Sequence, residues 1–376
     1  MEKNQRGFTL LELLVASSLG VLLILAMTSL FKMGMDATFT ISQRIETQQN
    51  MRAAVELITK DISLAGAGLP SGGLQLVSGT GTSSQFACNQ TGTCYVPNNT
   101  YPNGNFMTGL IPGFSNGVQG GAAIPNAAGQ TNDSITSVYC DYNFPLSNFL
   151  FSFPSGVQST VQLVAVPDNT LPTNILSPGG LVPGDLLMFI VSTPGNGTGT
   201  QGTSSVQNAA VVAEVTSIPN NTTINFANGD ALQLNQGGGG NNLATVQGAI
   251  GGANARMTVC RLYAVTYFLQ VPAAGGTVET PRLMRQVNGY DAVPIADNII
   301  NLQFSYDVIN NAGGVSPNVA DPLGSGDALS QIQKVNMWVM GESLTSGGKR
   351  SQNMYLATQV SARNMSFCNS YGANGC

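Results

Sequence analysis

The chain is 376 residues long, only 9% of them charged, with 14 Lys or Arg against 19 Asp or Glu and no histidine. Without histidine, Ser-His-Asp and Cys-His nucleophile arrangements and imidazole metal centres are excluded, and a net charge of −5 argues against broad phosphate contact. Its 45 glycines, with abundant Asn, Ser and Thr, favour turns and β-structure over surface helices.

Residues 1–7 carry Lys3 and Arg6 against Glu2, and between Phe8 and Phe31 the one charge is Glu12. Twenty-four residues at about 1.5 Å rise make a helix of roughly 36 Å, enough to cross a hydrocarbon core of about 30 Å. A cleavable secretory signal would have a shorter apolar core ending in a small-residue cleavage site; here the small residue, Gly7, precedes the run. The positive-inside bias keeps the leader cytoplasmic and exports everything beyond about residue 32. A carboxylate within a lipid-facing helix costs a few kcal/mol at mid-bilayer and less near the interface. Glu12 therefore either snorkels to that interface or finds an opposite charge on another molecule.

Gly7-Phe8-Thr9-Leu10-Leu11-Glu12 resembles, without interruption, the N-terminal motif of type IV prepilins and pseudopilins. The resemblance implies that a membrane-embedded prepilin peptidase cuts after Gly7 and methylates the new amino terminus on Phe8. It also implies that Glu12 pairs with the Phe8 amine of a neighbouring subunit, a charge that satisfies its own and favours entry into a filament in register.

Downstream, Ile41, Ile45, Gln48, Arg52, Val55, Ile58 and Ile62 keep three- and four-residue spacing and predict one inward face. Glu46, Glu56, Asp61, Arg44 and Lys60 fall on the remaining faces, and no proline precedes Pro70. One helix of roughly 85 Å is expected over residues 8–64, its first half in lipid and its second on an exported domain, stopped by Gly66, Gly68 and Pro70.

The first 65 residues balance six basic against six acidic groups, so all the excess acid lies in residues 66–376, and no Lys or Arg occurs between Gly66 and Ala255. Nucleic-acid binding through that surface is not expected. The later basic residues, among them Arg261, Arg285 and Lys334, read as solvated or sheet-edge charges. Strands are predicted at 134–142, 161–166, 185–192, 210–216, 223–226, 257–271, 299–308, 334–340 and 355–363. Pro219-Asn220-Asn221 reads as a hairpin turn, and the glycine-rich stretch 235–253 as a loop or insertion. No clean linker divides the region. The resulting organisation is a leader at 1–7, a transmembrane half-helix at 8–31, an amphipathic half-helix at 32–65 and one β-rich domain at 66–376.

Six cysteines, Cys88, Cys94, Cys140, Cys260, Cys368 and Cys376, all lie in the exported part, where disulfides are the default. Fifteen full pairings exist; closeness in sequence suggests Cys88 with Cys94 and Cys368 with Cys376, leaving Cys140 with Cys260. Metal spacings are lacking, and no metal or cofactor is expected. Exported acids such as Asp168, Asp185, Glu214 and Asp230 stand singly in the sequence, without the paired carboxylates of glycoside hydrolysis, and no enzyme is expected.

Five further stretches resemble the PilW-like minor pilins: 51–69 (MRAAVELITKDISLAGAGL), 184–188 (GDLLM), 283–289 (LMRQVNG), 298–306 (NIINLQFSY) and 355–364 (YLATQVSARN). The resemblance implies an α+β, type IV pilin-like fold, a long N-terminal helix packed on a large antiparallel β-rich globular domain. It further implies a minor pilin that joins an inner-membrane priming complex, works with other minor and major pilins and the inner-membrane assembly platform, and ends at the pilus tip. Type II secretion pseudopilins of the J type share the N-terminus and shape. The competing reading from another class is a tip adhesin whose loops between Ser71 and Gly129 bind a surface or glycan.

Overall fold

The computed structural model describes residues 7–70, 72–76, 83–102, 106–121, 124, 131–141, 143–144, 146, 149–154, 159–164, 180–193, 207–235, 243, 256–271, 280–310, 314–344 and 351–365. It is an α+β fold, one long N-terminal helix followed by an antiparallel β-rich domain. The helix α1 spans Leu10–Leu64. The strands are β1 Leu74–Gln75, β2 Phe106–Met107, β3 Leu110–Gly113, β4 Ser134–Asp141, β5 Leu150–Ser152, β6 Thr160–Val164, β7 Leu186–Thr193, β8 Gln207–Glu214, β9 Ser217–Asn220, β10 Thr223–Asn225, β11 Arg256–Gln270, β12 Arg282–Val287, β13 Val293–Asp297, β14 Ile299–Ile309, β15 Val315–Val319, β16 Ile332–Leu344 and β17 Ser351–Ser361.

α1 runs unbroken because nothing in residues 10–64 removes a backbone donor. It ends where Gly66 turns to φ +80°, a conformation that glycine adopts without strain. Its domain-facing stripe is Thr47, Met51, Ala54, Val55, Ile58, Asp61 and Ile62. That corrects the predicted inward face at its upper end: Ile41 and Ile45 are 59% and 49% exposed, and Gln48 and Arg52 are exposed. The domain first meets the helix at Thr47, so Ile41 and Ile45 lie before the packed part of the helix.

The described strands form four sheets, all with antiparallel pairing: β1-β2, β5-β6-β10-β9, β15-β14-β16-β17, and a seven-stranded sheet whose path β13-β12-β11-β4-β3 also takes β7 on β11 and β8 on β7. β11 organises the last. Residues 261–267 pair with β4, while its other edge is shared by β7 at 256–262 and β12 at 265–270. Asn288 fills the gap between β7 and β12: its Nδ2 donates to the Leu262 carbonyl, and its Oδ1 accepts from the Ala264 N–H at 2.8 Å. Beside it Gly184 sits at φ +95°, and a Cβ on Gly289 would stand 2.7 Å from Glu214 Oε1. Two of the PilW-like stretches, at 184–188 and 283–289, thus begin or end at one crowded junction.

Three apolar clusters follow from these layers. The first packs α1 between the β15-β14-β16-β17 sheet and the seven-stranded sheet, the second lies on the other face of the latter under residues 74–76 and 86–101, and the third joins β7, β8 and β11 to the β5-β6-β10-β9 sheet. Gly341 lets α1 approach β16, since a Cβ there would meet Met51 Sδ at 2.6 Å. Asn132 and Asp133 tie the sheets together by accepting from the Leu302 and Phe304 N–H groups. The predicted hairpin turn sits one residue later than expected, with Pro219 and Asn220 inside β9 and Asn221-Thr222 between β9 and β10.

Candidate functional site

The chemistry-bearing residues fall in two places, the start of α1 and its junction with the sheets. Thr9, in extended conformation, is the N-cap. Its Oγ1 accepts from the Glu12 N–H at 3.3 Å, and Glu12 Oε2 accepts from the Thr9 N–H and hydroxyl at 3.0 Å each. This reciprocal box satisfies donors that a helix start otherwise leaves orphaned. Glu12 is therefore partnered within its own chain, a role beyond snorkelling or an intermolecular pair. The Thr-x-x-Glu spacing before an apolar run was the signal for it. Gly7 has no heavy atom within 4 Å of a built Cβ, and Phe8 is 88% exposed. The Gly7–Phe8 bond and the residue behind it are sterically open.

At the other end of the helix, Asp61 is 2% exposed, not on an outer face as its sequence position suggested. It receives four bonds: Tyr139 Oη donates to Oδ1 at 3.1 Å, and Tyr267 Oη (2.5 Å), Arg285 Nη2 (3.0 Å) and Arg285 Nε (3.1 Å) donate to Oδ2. β4, β11 and β12 each contribute one donor residue, so a single helical carboxylate holds three strands. Burial, then the Asp61 charge and hydrogen bond, raises the pKa of both tyrosines. They remain protonated donors across the physiological range. Burial works against the Arg285 charge, but Asp61 beside it prevails and its pKa is raised. Arg285 is thus an interior partner, not a solvated charge. Arg261 likewise lies 4.6 Å over the Phe144 ring and 4.0 Å from Asp185. Asp61 and Arg285 are 224 residues apart, and no local pattern joins them.

The expectation that exported acids stand singly is corrected by Glu214 and Asp230, which share a side-chain hydrogen bond in the interior. Burial first, then the Asp230 charge, pushes Glu214 up to about 8; burial raises Asp230 despite backbone N–H donors from Leu234 and Asn235. One proton shared by the two carboxyls explains both directions. Glu214 Oε2 accepts from the Leu232 N–H at 3.1 Å, so the pair closes the 214–235 segment. Neither acid lines any of the described cavities, and no group of three or more metal-ligating side chains occurs among the described residues.

Cys88 bonds Cys94 (Sγ–Sγ 2.12 Å) and Cys140 bonds Cys260 (2.00 Å). The first closes a loop packed into the second apolar cluster, and the second links β4 to β11. Cys368 and Cys376 lie outside the described residues, as does nearly all of the 235–253 stretch.

α1 is long and apolar enough to cross a membrane. The family model of the prokaryotic N-terminal methylation motif matches residues 3–28. No curated protein and no solved structure matches the chain. The matched segment is that of a type IV pilin-like prepilin, which implies processing by a prepilin peptidase and assembly with other pilins, and together with one apolar N-terminal helix it fits a single-pass inner-membrane pilin. Proteins bearing this motif are structural subunits rather than enzymes.

Proposed function

We propose that this chain is a PilW-like minor pilin that joins an inner-membrane priming complex, initiates type IV pilus assembly and ends at the filament tip. The observation that carries this reading is a helix with two fates: large apolar side chains stay exposed from Leu10 to Ile45, while Asp61 fastens the far end into the domain. Prepilin peptidase removes residues 1–7 after Gly7 and methylates Phe8. Residues 8–31 then hold the subunit in the inner membrane, residues 32–65 carry the spine into the exported part, and residues 66–376 form one exported domain.

Within the complex Glu12 exchanges part of its cap for the Phe8 amine of a neighbouring pilin. The exchange is cheap because the carboxylate is exposed and already pointed at a helix start, where an added cation meets an acceptor with lone pairs to spare. A domain of some 310 residues is too bulky to repeat along a thin fibre, which supports low copy number at one end. A clean deletion scored for surface filaments and for the secreted proteome tests the reading. Loss of filaments with intact secretion, restored by the wild-type gene, is the expected result. Loss of secretion with normal filaments would instead make it a J-type pseudopilin of type II secretion.

A further inference from the structure

The β15-β14-β16-β17 sheet has two unlike faces. Val335, Met337 and Val339 point inward to the cluster around α1. The opposite face opens into a cleft of about 550 Å³, inside the range of about 300–1,000 Å³ usual for small-molecule sites. Strand register sets Gln303, Trp338 and Ala357 in one row across β14, β16 and β17, and Ser305, Asn336 and Gln359 in the next. Trp338 stacks on Tyr355 with ring centroids 5.7 Å apart and planes 20° apart, and Tyr355 is 64% exposed. Phe114, 42% exposed, stands at the rim.

The polar groups of this face are amides held in place by their neighbours. Asn336 Nδ2 donates to Asp307 Oδ1 at 3.1 Å and to Asn318 Oδ1 at 3.0 Å, which fixes the amide and leaves its oxygen to accept. Gln303 Nε2 donates to the Thr131 carbonyl. Asp133 is the one charged residue among the described lining, and both its oxygens accept from backbone, Ser115 N–H and Phe304 N–H. The neighbouring Asp307 is neutralised by Lys334 at 2.7 Å.

These features select one class of ligand. A phosphorylated or sulfated molecule finds no cation among the described residues that line the cleft. A purely apolar partner would strip water from the Gln303, Asn336 and Gln359 amides and return nothing, at about 1–3 kcal/mol for each polar group left unpaired. A sugar offers an apolar C–H face to the rings and hydroxyls, which donate and accept, to the amides. We propose that this outer sheet face binds a neutral oligosaccharide, with Trp338 and Tyr355 as the ring platform and Asn336 and Gln359 as hydroxyl partners. The site differs in place from the 71–129 loops that the sequence suggested for adhesion. It rests on the pilin reading only in requiring that the domain lie outside the cell.

Trp338 is the sole tryptophan of the chain, so its emission reports this face alone. The full chain in lipid nanodiscs is titrated with chitotetraose, cellotetraose and maltotetraose, alongside a sulfated heparin tetrasaccharide and an aromatic peptide. A saturable change in Trp338 emission with at least one neutral tetrasaccharide, and none with the sulfated one, is expected. Gln359→Ala, at an exposed position, should leave the free protein's emission unchanged and weaken that binding about tenfold, or about 1.4 kcal/mol. No saturable change with any neutral tetrasaccharide, a change with the sulfated probe or the peptide alone, or undiminished binding by Gln359→Ala overturns the proposal. In cells, Gln359→Ala should restore filaments to a deletion strain; failure to do so would make the face an assembly surface and overturn it too. The titration does not depend on the filament phenotype of the deletion, so either reading can fail alone.

Discussion

The two halves of α1 share a continuous backbone and differ in what meets their side chains. Between Leu10 and Ile45, nineteen large apolar residues are 49% or more exposed, whereas Met51, Ile58 and Ile62 are at most 2% exposed. At about 1.5–3 kcal/mol per buried aliphatic side chain, the first half forgoes tens of kcal/mol as long as it stands in water. Only lipid or other helices can recover that, while the second half has already done so against its own domain. The polar groups follow the same division. Glu12 is exposed and caps its own helix, free to change partners; Asp61 is buried and held by three residues of three strands. The contrast teaches that a pilin-like spine can be uncommitted at one end because it is locked at the other.

Breaking the uncommitted half should have the largest effect on function and none on folding. Glu12→Gln keeps an oxygen to cap Thr9 but removes the charge, so surface filaments counted by electron microscopy should fall to the level of the deletion, while the melting temperature of the domain is unchanged. Breaking the committed half should do the reverse. Asp61→Ala strands the half-buried Arg285 guanidinium and should lower unfolding free energy by about 3–5 kcal/mol in denaturant titration; an apolar pair, Asp61→Leu with Arg285→Met, should recover much of that loss.

The Glu214–Asp230 pair sharpens the comparison through pH. The folded Glu214 stands at about 8 against an ordinary 4.5, so the folded state binds more protons between those values. The stability this contributes is complete below about pH 4.5 and is lost as pH rises toward 8, on the order of a few kcal/mol in total. Thermal melts at pH 5 and pH 8.5 should show the fall, and Glu214→Gln should flatten it. The smallest effect is expected at the surface: Lys334→Ala, removing an ion pair whose lysine is 35% exposed, should cost about 0.5 kcal/mol by the same denaturant titration.

The helix was legible because its signals are local: an apolar run, no proline before Pro70, and Gly66 and Gly68 after its end. Long strands rich in β-branched and aromatic residues were equally so; β4, β7, β11 and β14 lie within one residue of the expected bounds. β1, β2 and β5, of two or three residues, are too short to carry a period, and β15 contains Pro317, which edge strands tolerate but which reads as a turn. The interior polar sites were hidden for a different reason. Asp61 falls on a helix position that a hydropathy pattern assigns to solvent, and only partners brought in from residues 139, 267 and 285 make its burial tolerable. The outer-face cleft is similarly a product of register, since its two rows come from three strands spread over residues 299–361.

The most direct test of the two-ended helix is mass spectrometry of the mature N-terminus in surface filaments sheared from cells. The account predicts a peptide that begins at Phe8 with one added methyl group, present at a small fraction of the major subunit. A chain absent from the filaments, or found there still carrying residues 1–7, would contradict it.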